Sequence, residues 1–229
     1  MTKSEKVMKN INYNGINFNV VIKGIKNPRI EIGEDLKIII NSEENAVSFI
    51  KNNYEWILKK YDFIKKCSDE AKNILNNNLI IMNENFEFGD TKYINFENKI
   101  INKNINNVVF KKIIIKKLSE KIENKLNYYK NKYDFDYNKI VIRNQKTKWG
   151  SCSSENNLNF NIRIAFIPEI LFNYILFHEI VHTRIKNHNK MFYSYISNEF
   201  NNYKKLNDEL YIYWFYSNMI MEMFNIKNF

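Results

Sequence analysis

Proline and glycine are scarce in this 229-residue chain, at 2 and 5 residues, which excludes collagen-like and low-complexity classes. Cysteine is equally sparse. Cys67 and Cys152 cannot build a disulfide framework and are expected as free thiols in a reducing, cytoplasmic setting. Every apolar run is broken by Lys, Asn or Glu before the roughly 18 residues that a spanning helix needs, so no membrane partner is expected. The opening segment MTKSEKVMKNINYNG lacks the apolar stretch and small-residue cleavage site of a secretory signal. Arginine is rare as well: four of the 35 basic residues, the rest being lysine.

What is present is an ordinary globular composition, 45% hydrophobic, 15% aromatic and 26% charged, in a chain long enough for one large domain or two small ones. The formal net charge of +10 would ordinarily direct attention to nucleic acid. Here tracts such as NNNLI and KKIIIKK show Asn, Ile and Lys inflated together, as a bias towards A- and T-rich codons produces. A solvated basic surface is the simpler reading, and a nucleic-acid partner the weaker one. Against that bias, three of the four arginines, all three histidines, Gly150, Cys152 and Pro168 fall between positions 143 and 188.

Along the chain, INFNVVIK and RIEIGEDLKIII, separated by turn signals from Gly24 to Pro28, predict an antiparallel meander in the first 40 residues. Residues 44–67 carry Val47, Ile50, Tyr54, Ile57, Leu58, Tyr61 and Ile64 at helical spacing, and predict an amphipathic helix. The Gly89-Asp90 pair predicts a hairpin over 84–105. A long helix over 108–132 follows, with Leu118, Ile122 and Leu126 on one side and Lys111, Lys112, Lys116, Lys117, Lys121 and Lys125 on the solvated remainder. KIVIRNQ and LNFNIRIAF read as strands flanking a turn-rich KTKWGSCSSENN. Pro168 and Glu169 open a helix expected to reach about 186, and two more helices are expected at about 189–206 and 208–224. This divides the chain into a β-rich region with one helix, 1–105, and a region 106–229, with no linker or composition break between them. One continuous α+β unit is expected.

The segment EILFNYILFHEIVHTRI is apolar nearly all round, so its helix belongs in the interior, where two histidines and a carboxylate are costly to bury. His178, Glu179 and His182 spell HEIVH. A spacing of i to i+4 puts both imidazoles on one face within reach of one metal ion, and sets the carboxylate beside a zinc-bound water whose proton it can take. His188 can join them if the helix ends near Asn187 in a left-handed cap. Random placement of 3 His and 18 Glu predicts about 0.003 such five-residue patterns. Three histidines leave an open coordination position, as catalytic zinc requires; Cys152 as a fourth ligand is the alternative.

KTKWGSCSS, LNFNIRIAFIPEILFNYILFHEIVH and NHNKMFY together resemble the YgjP-like zinc metallopeptidases, related to the SprT-like HExxH proteases. The resemblance is dense from about 139 to 195. It implies an α+β zincin-like fold with a small antiparallel sheet, a buried HExxH helix and C-terminal helices, preceded by a β-rich N-terminal region. It implies Zn2+ as cofactor, His178, His182 and His188 as ligands, Glu179 as general base, and a peptide or protein substrate. Tyr193 stands where the family often has Trp. The His182-to-His188 spacing equals that of the metzincins, but Ile185 occupies their glycine position, and that assignment is rejected. The competing functions are a SprT-type protease acting on DNA-bound proteins and a non-catalytic metal-stabilised module. Trp149 and Gly150 either shape a turn or touch substrate; Lys148, Arg163 and Arg184 either stabilise an oxyanion or form local ion pairs. Residues 157–164 are expected to offer a strand edge to an extended peptide.

Overall fold

A computed structural model describes residues 7–32 and 36–226. The chain divides into two compact units, 1–70 and 71–229, and the division falls within one long helix.

In the first unit, β1 (Val7–Tyr13) and β2 (Ile16–Ile22) form a hairpin through Asn14 and Gly15, both at positive φ (50° and 81°), the turn geometry that matches strand twist. β3 (Arg29–Ile32) and β4 (Leu36–Ile40) pair antiparallel. The order is β1-β2-β4-β3, with β2 and β4 parallel, so the expected meander is replaced by a mixed sheet. A local turn signal specifies a hairpin but not which strand a later one pairs with. Helix α1 (Glu43–Asn77) packs Ala46, Ile50 and Ile57 on Phe18, Val20, Leu36, Ile38 and Ile40. It runs ten residues past the expected end, because the asparagines after Ala71 only mimic a loop.

The second unit begins with β5 (Leu79–Ile81) and β6 (Glu84–Phe88), joined through Met82 and Asn83 at φ 53° and 69°. A left-handed Met is not a turn signal. The turn is held from outside, by Asn83 Nδ2 donating to the carbonyls of Ile164 (3.1 Å) and Ile167 (2.6 Å). β7 (Ile94–Asn95) and β8 (Ile100–Ile101) complete the order β5-β6-β8-β7, with β6 parallel to β8, so Gly89-Asp90 does not join a simple hairpin. Helix α2 (Asn107–Tyr133) lies within a residue of its expected bounds: Asn106 caps it, accepting from Val108 and Val109 N–H, and Asp134 ends it at φ 54°. Its buried stripe is Phe110, Ile114, Leu118, Ile122, Leu126 and Tyr129, spaced by four residues as far as Leu126 and then by three. At about 1.5–3 kcal/mol per buried large side chain, this stripe anchors the helix more than any propensity does. Lys112, Lys116 and Lys117 are exposed, but Lys121 is not on a fully solvated face. Its Nζ donates to Met82 O at 3.0 Å and lies 5.5 Å from the Phe172 ring.

Next come β9 (Ile140–Arg143), β10 (Gly150–Cys152) and β11 (Leu158–Asn161), in the order β10-β11-β9. β11 pairs antiparallel with β10 and parallel with β9. This small sheet is therefore mixed, and the strand expected to offer a docking edge is central; β10 and β9 are the edges. The expected strand over LNFNIRIAF stops at Asn161, whose side chain accepts from Arg163 N–H and starts a 3-10 turn over Ile162–Phe166. Ile162, Ile164, Ala165 and Phe166 are all buried, so the alternation there reflects full burial and not a strand face. Helix α3 (Glu169–Val181) follows, buried on nearly every side, then α4 (Lys190–Glu199) and α5 (Tyr203–Met223). Among the described residues no helix is long and apolar enough to cross a membrane. The architecture is α+β.

Candidate metal centre

Helix α3 delivers His178 and Glu179 from its last turn and His182 as its C-terminal cap residue. It ends at Val181, about one turn short of the expectation, and Asn187 is not left-handed. Tight turns carry the chain on instead, with Thr183 N–H donating to Ile180 O and Ile185 N–H to Val181 O. These bring His188 back across the helix end. Ile185 is buried and does not adopt a left-handed backbone, so no glycine is needed there.

The three imidazoles converge. His188 Nε2 is 3.0 Å from His178 Nε2 and 3.1 Å from His182 Nε2, and the ligand atoms of all three lie within 4.8 Å of one another. Nitrogens each about 2.0–2.1 Å from one tetrahedral ion stand about 3.3 Å apart, so the spacing fits a shared ion. The tautomer fits too. His182 Nδ1 lies 2.9 Å from Ile185 O, and a carbonyl can only accept, so the ring proton sits on Nδ1 and Nε2 presents a lone pair inward. Burial, with the neighbouring His182 and His188, pushes His178 down to about 3, and burial lowers His182 as well. Both therefore stay neutral, the state in which imidazole ligates metal.

Phe192 supports all three rings, its centroid 4.9, 4.6 and 4.7 Å from those of His178, His182 and His188. It is fully buried, and Asn189 caps its helix by accepting from Phe192 N–H. Tyr193, at the position where the family often has Trp, is more peripheral. It is 38% exposed, 6.2 Å from the His188 ring, and stacks on Tyr203.

Glu179 is buried against β10. A Cβ at Gly150 would stand 2.7 Å from Glu179 Cγ and 3.1 Å from Asn159 O, so glycine is what leaves room for this carboxylate. Burial pushes its carboxyl up to about 8, with Lys148 pulling the other way. A cavity of about 230 Å³ opens here, lined by Lys148, Gly150, Tyr174, His178, Glu179 and Asn207. A wider, more open one of about 770 Å³ is lined by His188, Lys190, Tyr193, Ser197 and Tyr203 among others.

The remaining basic residues separate. Arg184 reaches Asp134, and Lys186 donates to Ser153 O (2.9 Å) and Asn156 Oδ1 (2.6 Å), pinning the loop after α3 to the β10–β11 connection. Arg163 is held by the neutral acceptors Asn144, Gln145 O, Asn161 and Asn218 and lies over Trp214. Asn161, fully buried, donates to Gln145 O (2.8 Å) and Lys148 O (2.7 Å). Together they fix the loop that carries Lys148 to Gly150. Cys152 is not in the cluster of ligand atoms; its thiol contacts Lys186 and Ser153 O.

Residues 26–212 match the family model described as YgjP-like, metallopeptidase domain. The chain belongs to the YgjP-like family. It is thus a metallopeptidase domain, and a metal ion is implied by membership. The crystal structure of the metallopeptidase zymogen of Pyrococcus abyssi abylysin is similar at 20% identity, over 39% of this chain and 90% of that one, with a TM-score of 0.37. No curated protein matches the chain. Three features of this YgjP-like domain carried no signal in the sequence: Phe192, Tyr174 and Asn207. Each is an ordinary residue type whose role depends on tertiary placement, and only the position of Phe192, one turn after His188, could have hinted at it.

Proposed function

We propose that His178, His182 and His188 hold a zinc ion and that Glu179 is the general base of a peptide hydrolysis. The observation carrying this is the convergence of three imidazole nitrogens, with 3.0 and 3.1 Å separations, together with a buried carboxylate that lines one cavity with His178. A zinc ion held there supplies Lewis acidity, drawing a water's pKa towards about 7 and polarising a carbonyl. The protein's own groups do the rest. Ile185 O fixes the His182 ring; Phe192 fixes all three rings; Gly150 and the apolar surround keep Glu179 poorly hydrated, so that it readily accepts a proton and returns it to the leaving amine. β10, the edge strand of its sheet that contacts α3, is the strand on which an extended peptide would pair.

Glu179→Gln tests the reading, since it keeps the shape and removes the base. Zinc stays bound, thermal stability holds or rises because a neutral amide is cheaper to bury, and hydrolysis of an unfolded protein falls by roughly 10²–10⁴-fold. Equal cleavage by the glutamine variant assigns the activity to another site, and loss of zinc makes Glu179 a ligand. A wild type that binds zinc without turnover supports the metal-stabilised module.

A further inference from the structure

The small cavity holds a donor that the peptidase reading does not yet use. Asn207, a solvent-exposed residue of α5, lines it together with His178, Glu179 and Lys148. Tyr174 lies one turn before His178 on α3, so both side chains are carried on the same helix face. Its ring is 2% exposed and packs edge-on against Phe200 (5.5 Å) and His178 (6.1 Å). Its hydroxyl donates to Asn207 Oδ1 at 2.9 Å. Burial, only partly offset by that bond, pushes the phenol up to about 12, so it remains a donor at working pH. With Oδ1 accepting from the Tyr174 hydroxyl, Nδ2 is the group left to donate. Among the described residues Nδ2 makes no hydrogen bond to the protein.

We propose that Asn207 is a catalytic residue, its Nδ2–H donating to the carbonyl oxygen of the scissile bond, and that Tyr174 is the positioning residue that orients it. This rests on the peptidase reading above. In the addition step a water oxygen forms a bond to the carbonyl carbon, the π pair moves onto the carbonyl oxygen, and Glu179 takes the water proton. The Asn207 amide meets the oxyanion. On collapse the C–N bond breaks, the oxygen lone pair re-forms the carbonyl, and Glu179 passes its proton to the departing nitrogen. Lys148 lines the same cavity, but on a long exposed side chain. An oxyanion donor is effective when its orientation is held before the reaction, and of the two it is the amide that a hydrogen bond from a buried hydroxyl holds.

The test compares zinc-loaded wild type with Asn207→Ala, Asn207→Asp, Tyr174→Phe and the Tyr174→Phe/Asn207→Ala pair. It follows hydrolysis of unfolded casein and, separately, equilibrium binding of a peptide phosphonate, which mimics the tetrahedral anion. Asn207→Ala lowers kcat about 10²-fold with KM changed less than about threefold, and weakens the phosphonate in parallel. Asn207→Asp is at least as impaired, since it keeps an acceptor and repels the oxyanion. Tyr174→Phe lowers kcat about tenfold with KM and bound zinc unchanged, and adds nothing in the double variant because the phenol acts only through the amide. The proposal is overturned if Asn207→Ala keeps kcat within about twofold, if Asn207→Asp is fully active, or if the loss lies wholly in KM. A wild type that holds zinc yet neither cleaves casein nor binds the phosphonate overturns the peptidase reading, and this inference with it; an active wild type with an equally active Asn207→Ala overturns this inference alone.

Discussion

Helices α2 and α3 pack against each other through Tyr129 and Phe177, ring centroids 4.9 Å apart, yet they obey opposite rules. α2 buries one stripe and gives the rest of its surface to solvent, where lysine is tolerated at almost any position. α3 buries nearly everything, so each polar residue on it is retained against a desolvation cost. In a chain of skewed composition, the exposed helix therefore reports the skew and the buried one reports the chemistry. Eight lysines on α2 say less about function than His178, Glu179 and the cap residue His182 at the end of α3.

The contrast predicts where substitutions bite. The largest effect belongs to the imidazoles: His178→Ala, His182→Ala or His188→Ala lowers metal affinity by about 10³-fold or more, because two remaining nitrogens cannot hold the ion against water. Metal content after competition with a chelator measures it, and full retention in His188→Ala would move the third ligand elsewhere. Next is the stripe of α2. Leu118→Ala empties a fully buried site and costs about 2–5 kcal/mol in unfolding free energy, while metal content stays at one ion per chain.

Gly150→Ala is smaller and more diagnostic. The added methyl meets Glu179 Cγ at 2.7 Å and the Asn159 carbonyl at 3.1 Å, so the carboxylate or the strand must shift. The expected cost is about 1–3 kcal/mol of stability and about tenfold in kcat with zinc retained. Unchanged kcat would show that the carboxylate relocates without consequence and that its seat on β10 is not part of catalysis.

How much of this was legible from residues alone depends on whether the signal was local. HEIVH is local: helical spacing, burial and ligand type coincide in five residues, and the histidines lie together as that spacing requires. The apolar stripe of α2 and its cap at Asn106 are local too. Strand partners are not. Nothing near β4 says that it pairs parallel with β2, and nothing in LNFN says that β11 will be flanked on both sides. Phe192 and Asn207 meet the site from other helices, and Tyr174, though one turn before His178, gains its partner only through Asn207 of α5, so none of the three could be picked out locally. The short reach of α3 was illegible for a related reason. Apolar periodicity continues to Ile185, but that residue is buried by a turn.

Lys132, like Lys121, breaks the rule that the charges of α2 are idle. Lys132 Nζ donates to Glu199 Oε2 at 2.6 Å, and the Tyr133 hydroxyl donates to the same oxygen, tying α2 to α4. Burial raises the Glu199 carboxyl, but these two hydrogen bonds outweigh it and hold the group below the usual carboxylate range. A depressed folded-state pKa contributes stability above the unfolded value of about 4.3 and loses it as pH falls through the folded value. Thermal stability should therefore decline on acidification below about pH 4–5, and Glu199→Gln should flatten that part of the profile. An unchanged profile in Glu199→Gln would return Lys132 to the idle class.

The smallest expected effect is the one that the net charge would make largest. Lys112 and Lys116 are exposed on α2, and if lysine there is compositional, Lys112→Gln and Lys116→Gln change stability by no more than about 0.5 kcal/mol and leave hydrolysis untouched. Polyanion binding should then be weak and indifferent to sequence, since there are few arginines and each phosphate contact is a bare point charge. Its affinity for duplex DNA should fall steeply between about 50 and 200 mM salt, and each glutamine should lower the salt slope by about one contact at most. The SprT-type alternative demands the reverse: cleavage stimulated by DNA at physiological salt, lost in the Lys112→Gln/Lys116→Gln pair while cleavage without DNA persists. That outcome would give the solvated face of α2 a selected function and reverse the contrast with α3, because surface composition would then carry as much information as the buried motif.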